Sequence, residues 1–301
     1  MFEQKRNEGE ALNQFAEKPL LRYPDFNEAV KTLEVTYGMS AMNERACLIT
    51  GEPGVGKSTI AKTVNYYLNK GYDPKHPRSI YVKLDSPKTI REFTEQMSNG
   101  LITLRRKVSK TELKELLRKA FINQCIEVLV LDEIQTLLPA AKESALARDM
   151  ADAIKHLMEE LKLSVFMFGV EDASRLYDAA KYNKFTIGQL VSRSNATVRL
   201  KTFKNDDVWI KVLNYMEKHT CLPTEISLSD PKIADLIYEA TKGNFRDLNN
   251  LIGACHTLYD LRKVESLSVK TLALAYNHEN SKEVTSNPFI EVNAQGIDWV
   301  A

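Results

Sequence analysis

The chain has 301 residues, enough for one large domain or two of medium size. Its 41 Lys+Arg nearly cancel its 40 Asp+Glu, so it is not a polycation; any nucleic-acid contact has to come from a local patch, or from a modest patch repeated across an oligomer. Cys47, Cys125, Cys221 and Cys255 are far apart in sequence and form no CxxC pair, and the five histidines are dispersed, which argues against a disulfide framework or a zinc site. Cys47 and Cys125 lie in or beside apolar runs and read as buried thiols. The first residues are polar, and no run reaches the length of a membrane span, so a cytoplasmic protein without membrane contact is expected.

Residues 1–21 read as a flexible arm. Pro24 and Asp25 then suit a helix start, with Phe26, Ala29, Val30, Leu33 and Val35 on an apolar face. Ala46–Ile49 is a short buried strand leading into Gly51-Glu52-Pro53-Gly54-Val55-Gly56-Lys57-Ser58-Thr59, and a helix follows. Strand, Gly-rich turn and helix are the setting of a phosphate-binding P-loop. The glycines allow a tight turn whose N–H groups converge, and the helix N-terminus adds partial positive charge. Lys57 can reach the terminal phosphates of ATP, and the Ser58 hydroxyl can hold Mg²⁺.

The next strand is expected over Ser79–Leu84, followed by a helix from Thr89. Leu101–Phe121 is helical in pattern and rich in Arg and Lys, including Arg105, Arg106 and Lys107. Such a run reads either as a solvated face or as a contact to phosphates. Ile126–Leu131 is a continuous apolar run, as in a parallel strand buried on both faces, and it ends in Asp132-Glu133. An Asp at such a tip suits Mg²⁺. The Glu beside it suits polarising a water for attack on a γ-phosphate. A long helix over Ala140–Leu163, a strand at Val165–Phe168 and a short strand at Thr197–Leu200 complete an alternating α/β pattern, a three-layer domain with a mainly parallel sheet.

From about Lys201 the pattern becomes helical throughout: Asn205–Lys218, Pro231–Thr241, Phe245–Arg262 and Val269–His278, with no strand evident. This divides the chain into an α/β domain over 22–202, a helical domain over 203–280 and a tail over 281–301. The tail carries Asn287, Pro288, Phe289 and Trp299, bulky residues in a polar setting that read as disorder or as hooks for a partner. Arg193 before the last strand and Arg246 at a helix start are the candidate cations for a transferring phosphoryl group. A helix start is the less favourable end for a cation, which favours a functional role for Arg246.

P-loop, Asp132-Glu133, Arg193 and the Gly243-Asn244-x-Arg246 helix start together resemble an AAA+ ATPase over roughly residues 22–280. The resemblance implies a sheet of order 5-1-4-3-2 with a small helical lid domain. It also implies ring or filament assembly, with Arg193 as a finger reaching a neighbouring subunit's ATP and Arg246 touching the γ-phosphate. Arg22-Tyr23-Pro24-x-Phe26, Asp132-Glu133-Ile134-Gln135, Phe168-Gly169 and Gln189-Leu190-x-Ser192-Arg193 further resemble the TniB/TnsC-type regulators of DNA transposition, including the compact forms of CRISPR-associated transposons. That family resemblance implies ATP-driven oligomerisation on double-stranded DNA, target marking, recruitment of a transposase and of a target-selection protein, and disassembly on hydrolysis. It points to Lys83, Lys88, Arg105, Arg106 and Lys107 as sequence-independent phosphate contacts, and to the tail as a transposase hook. One position departs from the pattern: Val170 stands where a small polar residue is usual, so slow hydrolysis is expected. A helicase-loader or origin-type replication ATPase, and a nucleotide-binding signalling switch without DNA, are the alternative readings.

Overall fold

The computed structural model describes residues 21–40, 45–103, 108–137, 145–174, 194–279, 287–293 and 296–299. By contacts these fall into two units, 1–53 with 57–200, and 54–56 with 201–301.

The first unit is built on five strands, β1 (Ala46–Gly51), β2 (Ser79–Lys83), β3 (Val128–Asp132), β4 (Ser164–Gly169) and β5 (Ser194–Leu200), in the order 2-3-4-1-5. Every strand pair is parallel. This is the order that the AAA+ resemblance implies. All residues of β1, β3 and β4 are buried, which is why these segments read as unbroken apolar runs rather than alternating ones.

Among the described residues five helices belong to this unit, α1 (Pro24–Ser40), α2 (Lys57–Asn69), α3 (Ile90–Ser98), α4 (Lys110–Asn123) and α5 (Ala145–Leu161). On one face of the sheet Leu129, Leu131, Val165 and Met167 form a continuous core with Phe93 and Met97 of α3, Leu117 and Phe121 of α4 and Ile154, Leu157 and Met158 of α5. The alternate residues of the strands face α1 and α2. There Phe26, Ala29, Leu33, Ile60 and Ala61 are buried. Each fully buried Phe or Leu contributes roughly 1.5–3 kcal/mol relative to exposure. Val35 is the exception to the expected face of α1: at 52% exposure it lies outside the buried stripe, because the 3.6-residue period carries it past Leu33.

Two expectations on this unit are corrected. Residues 101–103 are not helical and α4 begins only at Lys110, because Ser109 caps it: its hydroxyl accepts from the Glu112 amide at 3.2 Å. Cys125 is exposed rather than buried, since it follows the C-terminus of α4 with φ +55°, outside the strand. Cys47, inside β1, is buried as expected.

The second unit holds α6 (Asp207–His219), α7 (Pro231–Thr241), α8 (Phe245–Asp260) and α9 (Val269–Glu279). Asp206, Asp230 and Asn244 cap the first three, each side-chain oxygen accepting from two amides of the first turn. Trp209 is fully buried, donates through Nε1 to the Ala234 carbonyl at 3.1 Å, and meets Tyr238 edge-on. The unit is not purely helical. Antiparallel β6 (Ile290–Asn293) and β7 (Gly296–Trp299) form a hairpin, and an isolated parallel bridge joins Thr224 to Leu267. Among the described residues no helix is long and apolar enough to cross a membrane.

Candidate active site

Three neighbouring strands, β3, β4 and β1, end at one edge of the sheet, so Asp132, Gly169 and Gly51 lie side by side there. In open parallel sheets the crevice outside the carboxyl ends of the strands is where ligands bind.

The loop after β1 turns through Gly54 and Gly56, whose φ values of +88° and +94° are open to glycine and costly for other residues. Lys57, only 8% exposed, opens α2. Its ammonium donates to the Gly51 carbonyl at 2.9 Å and to the Glu52 carbonyl at 2.7 Å. The cation is thus already seated in the loop, on carbonyls of the loop's own entry. Val55 is buried, while Glu52 and Pro53 are exposed and Ser58 and Thr59 half-buried.

Asp132 is 1% exposed at the tip of β3. Its Oδ1 accepts from the Glu133 amide at 3.0 Å and its Oδ2 from the Tyr81 hydroxyl at 2.7 Å. Tyr81 comes from β2, where the parallel register sets Lys83 opposite Asp132. Burial first, then the bond to Asp132 and the charges of Asp132 and Glu133, push the Tyr81 phenol far above its ordinary value, so it stays a donor. Sequence reading missed Tyr81; the only signal for it is a Tyr two residues before the end of the strand beside β3.

Glu133 has φ +61°. Of the seven non-glycine residues with positive φ among the described residues, Asn99, Cys125, Lys162, Lys242 and Arg262 sit just past helix ends, where such backbone is usual. Glu133 and Ser86 instead follow strands β3 and β2 at the site's edge. Left-handed backbone at a non-glycine residue costs on the order of 1–2 kcal/mol, and it persists where the surroundings over-determine it. Glu133 Oε2 accepts from Gln135 Nε2 at 2.5 Å, and Gln135 Oε1 accepts from the Val170 amide at 3.2 Å.

The donor set suits Mg²⁺, a hard cation that takes oxygen ligands: a buried carboxylate at Asp132 and a hydroxyl at Ser58. Each Asp132 oxygen has a second lone pair beyond the bond it already accepts. Among the described residues no cluster of His, Cys, Asp and Glu forms a separate metal site.

The remaining candidates are placed as follows. Arg246 is exposed in the first turn of α8; its amide donates to Asn244 Oδ1 at 2.9 Å and to the carbonyl of Gly54, which groups with the same unit, at 3.1 Å. Arg193 lies outside the described residues, as do Arg105, Arg106 and Lys107. Lys83 and Lys88 are exposed around the loop after β2. That loop is pinned: the Asp85 amide donates to Gln96 Oε1 at 3.0 Å, and the Lys88 amide to Glu92 Oε2 at 2.7 Å. In the tail, Phe289 is fully buried and edge-on to Tyr276, and Asn287 donates to the Ala273 carbonyl at 3.0 Å. As folded, Asn287-Pro288-Phe289 is therefore an anchor onto α9 rather than a hook held out to a partner; Trp299 pairs with Ile290 in the hairpin. A cavity of about 510 Å³, lined by Arg22, Phe26, Tyr37 and Tyr67 among others, opens between α1 and α2, away from the P-loop residues.

Residues 40–176 match the family model described as AAA domain. No curated protein sequence matches the chain. Among solved structures, the ORC2 protein of Aeropyrum pernix in its ADPNP–ADP complexes is similar at TM-score 0.65 and 14% identity, over 90% of this chain and 72% of that one. The Aeropyrum pernix ORC1 protein in complex with DNA is similar at TM-score 0.63 and 16% identity, over 86% of this chain and 66% of that one. Cdc6p from Pyrobaculum aerophilum gives TM-score 0.63 and 15% identity, over 86% and 68%. Identities this low speak to fold alone: the chain has the α/β P-loop architecture of the AAA+ ATPases, and the family match adds a likeness to the AAA domain over residues 40–176.

Proposed function

We propose that the protein is a Mg²⁺-dependent ATPase that uses nucleotide to assemble on double-stranded DNA and regulates DNA transposition. The observation that carries the hydrolytic part is the Glu133 carboxylate held on Gln135 beside buried Asp132, at the same strand edge as the P-loop. Asp132 and Ser58 would hold Mg²⁺, which would neutralise phosphate charge when bound. Lys57 leaves the Gly51 and Glu52 carbonyls for the terminal phosphates. Glu133 takes a proton from the attacking water, and the charge that develops on the γ-phosphoryl is met by Lys57, by Arg246, and by Arg193 of a neighbouring copy. Slow turnover accords with Val170, whose side chain offers no hydrogen bond.

Exposed Lys83 at the end of β2 and Lys88 on the pinned loop after it support phosphate contacts to DNA, extended by Arg105, Arg106 and Lys107. A near-neutral subunit suffices, because an oligomer multiplies a few contacts. The transposition assignment, with a transposase and a target-selection protein as partners, rests on the sequence marks around Arg22–Phe26 and Asp132–Gln135. The likeness to ORC1, ORC2 and Cdc6p favours a second reading, a replication-type ATPase.

Fluorescence anisotropy on labelled duplex DNA tests the proposal. Parent protein is expected to bind only with ATP, Glu133→Gln to bind and persist, and Lys57→Ala to fail. DNA binding that ignores nucleotide, or none at all, refutes it. Stimulation of a transposase by the parent, against loading of a helicase, separates the two readings.

A further inference from the structure

The tip of β3 and the tip of β4 are joined through one side chain. Gln135 stands in a 3-10 turn, Ile134–Leu137, directly after the Asp132-Glu133 pair. Its two polar ends are both used, one on Glu133 Oε2 and one on the Val170 amide. The partners fix the way the amide faces. A carboxylate only accepts and a backbone N–H only donates, so Nε2 must meet Glu133 and Oε1 must meet Val170. Gly169 makes the space: a Cβ there would stand 2.8 Å from Gln135 Oε1, 2.8 Å from Ile134 Cγ2 and 2.9 Å from Ala173 Cβ. Gly169 lies in regular β4, so the demand for glycine here is one of room rather than of backbone conformation.

We propose that Gln135 is a positioning residue for Glu133. By holding Oε2, it leaves Oε1 to accept the proton of the attacking water, and it fixes a carboxylate whose backbone is already in the left-handed region. It also does, from the β3 side, what the Val170 side chain cannot do from the end of β4: it puts a polar group between the two strand tips. The inference rests on the ATPase reading above.

Two substitutions separate positioning from mere packing. Gln135→Met keeps the shape and loses both bonds. Gln135→Glu keeps an oxygen for the Val170 amide but sets a carboxylate against Glu133. Nucleotide affinity is measured with a fluorescent ATP analogue, and turnover by single-turnover hydrolysis of radiolabelled ATP. Both variants are expected to keep the parent Kd and to lose about tenfold or more in rate. In a Glu133→Gln background, Gln135→Met is expected to cause no further loss, since residues that act through one another are not additive.

Parent-like turnover in Gln135→Glu overturns the proposal, because the Val170 contact alone would then suffice. A full further loss in the Glu133→Gln background overturns it too, since Gln135 would be acting independently. If Gln135→Met does not fold, Gln135→Glu decides alone. If the parent binds ATP but never hydrolyses it, the ATPase reading itself falls and this inference with it, an outcome distinct from a parent that turns over and variants that match it.

Discussion

Gly169→Ala tests the crowding at the site's edge. The added Cβ would lie 2.8–2.9 Å from three atoms, Gln135 Oε1, Ile134 Cγ2 and Ala173 Cβ. Carbon contacts are comfortable at about 3.5–4.0 Å, so relief of roughly 0.7–1 Å is needed on each side. β4 cannot supply it by shifting, because it is hydrogen-bonded to β3 on one side and β1 on the other. Overpacking of this kind costs about 1–3 kcal/mol, and the lost flexibility of glycine in the unfolded chain returns about 0.5–1 kcal/mol. The net destabilisation is up to about 2.5 kcal/mol, with a centre near ~1 kcal/mol that in a unit of this size lowers Tm by roughly 2–4 °C. The easiest movement is that of the Gln135 amide, so turnover is expected to fall about tenfold while nucleotide binding holds. Scanning calorimetry and an ATPase assay on the same preparation read both effects. Unchanged Tm and turnover would refute the crowding; lowered Tm with parent turnover would show that the amide's place does not matter to Glu133.

Tyr81→Phe removes a charge-assisted bond to buried Asp132 and is expected to cost about 1.5–3 kcal/mol, read as a lower urea midpoint without nucleotide; an unchanged midpoint would mean that the bond contributes nothing. Phe289→Ala is expected to destabilise the second unit by about 3–5 kcal/mol and to open the tail to limited proteolysis; a tail as resistant as the parent's would count against its anchoring. Burial pushes the Cys47 and Cys255 thiols from 9.0 up to about 12. A raised folded value means that the unfolded chain ionises first, so stability is intact below pH 9.0 and falls between there and about 12. Each thiol contributes a slope of up to about 1.4 kcal/mol per pH unit in that window. Chemical denaturation at pH 8, 9 and 10 is expected to show the onset of the fall, and Cys47→Ala to flatten it; equal slopes in parent and variant would remove the thiol from the effect.

The fold was legible where one local signal sufficed. β1 and β3 are apolar runs that end in chemically distinctive residues, and α7 begins at Pro231 because Asp230 and proline announce it together. The P-loop and the Asp132-Glu133 pair were legible for the same reason. Errors arose where a local pattern had two explanations. The charged run after Leu101 looked helical, yet Ser109 supplies the cap that starts α4 late. Cys125 adjoins an apolar run but occupies the turn before it. What could not be read was contact at long range. Tyr81 reaches Asp132 only once β2 and β3 are in register, and Phe289 becomes an anchor only when α9 lies beneath it. Gln135 was visible as a letter in a motif, but its bond to Val170 depends on the tips of β3 and β4 being adjacent.

The strand order also governs when the first unit can form during synthesis. β1 is made before its two neighbours in the sheet, β4 and β5, which follow roughly 120 and 150 residues later in a chain that grows from the N-terminus. Until then β1 is a largely apolar segment with both backbone edges unpaired, the kind of nascent strand that invites misassociation. The P-loop it carries cannot be held in its final geometry before the strand at Leu200 has left the ribosome. Non-local pairing of this kind is slow to form, so the loop after β1 is expected to reach its final geometry late in folding.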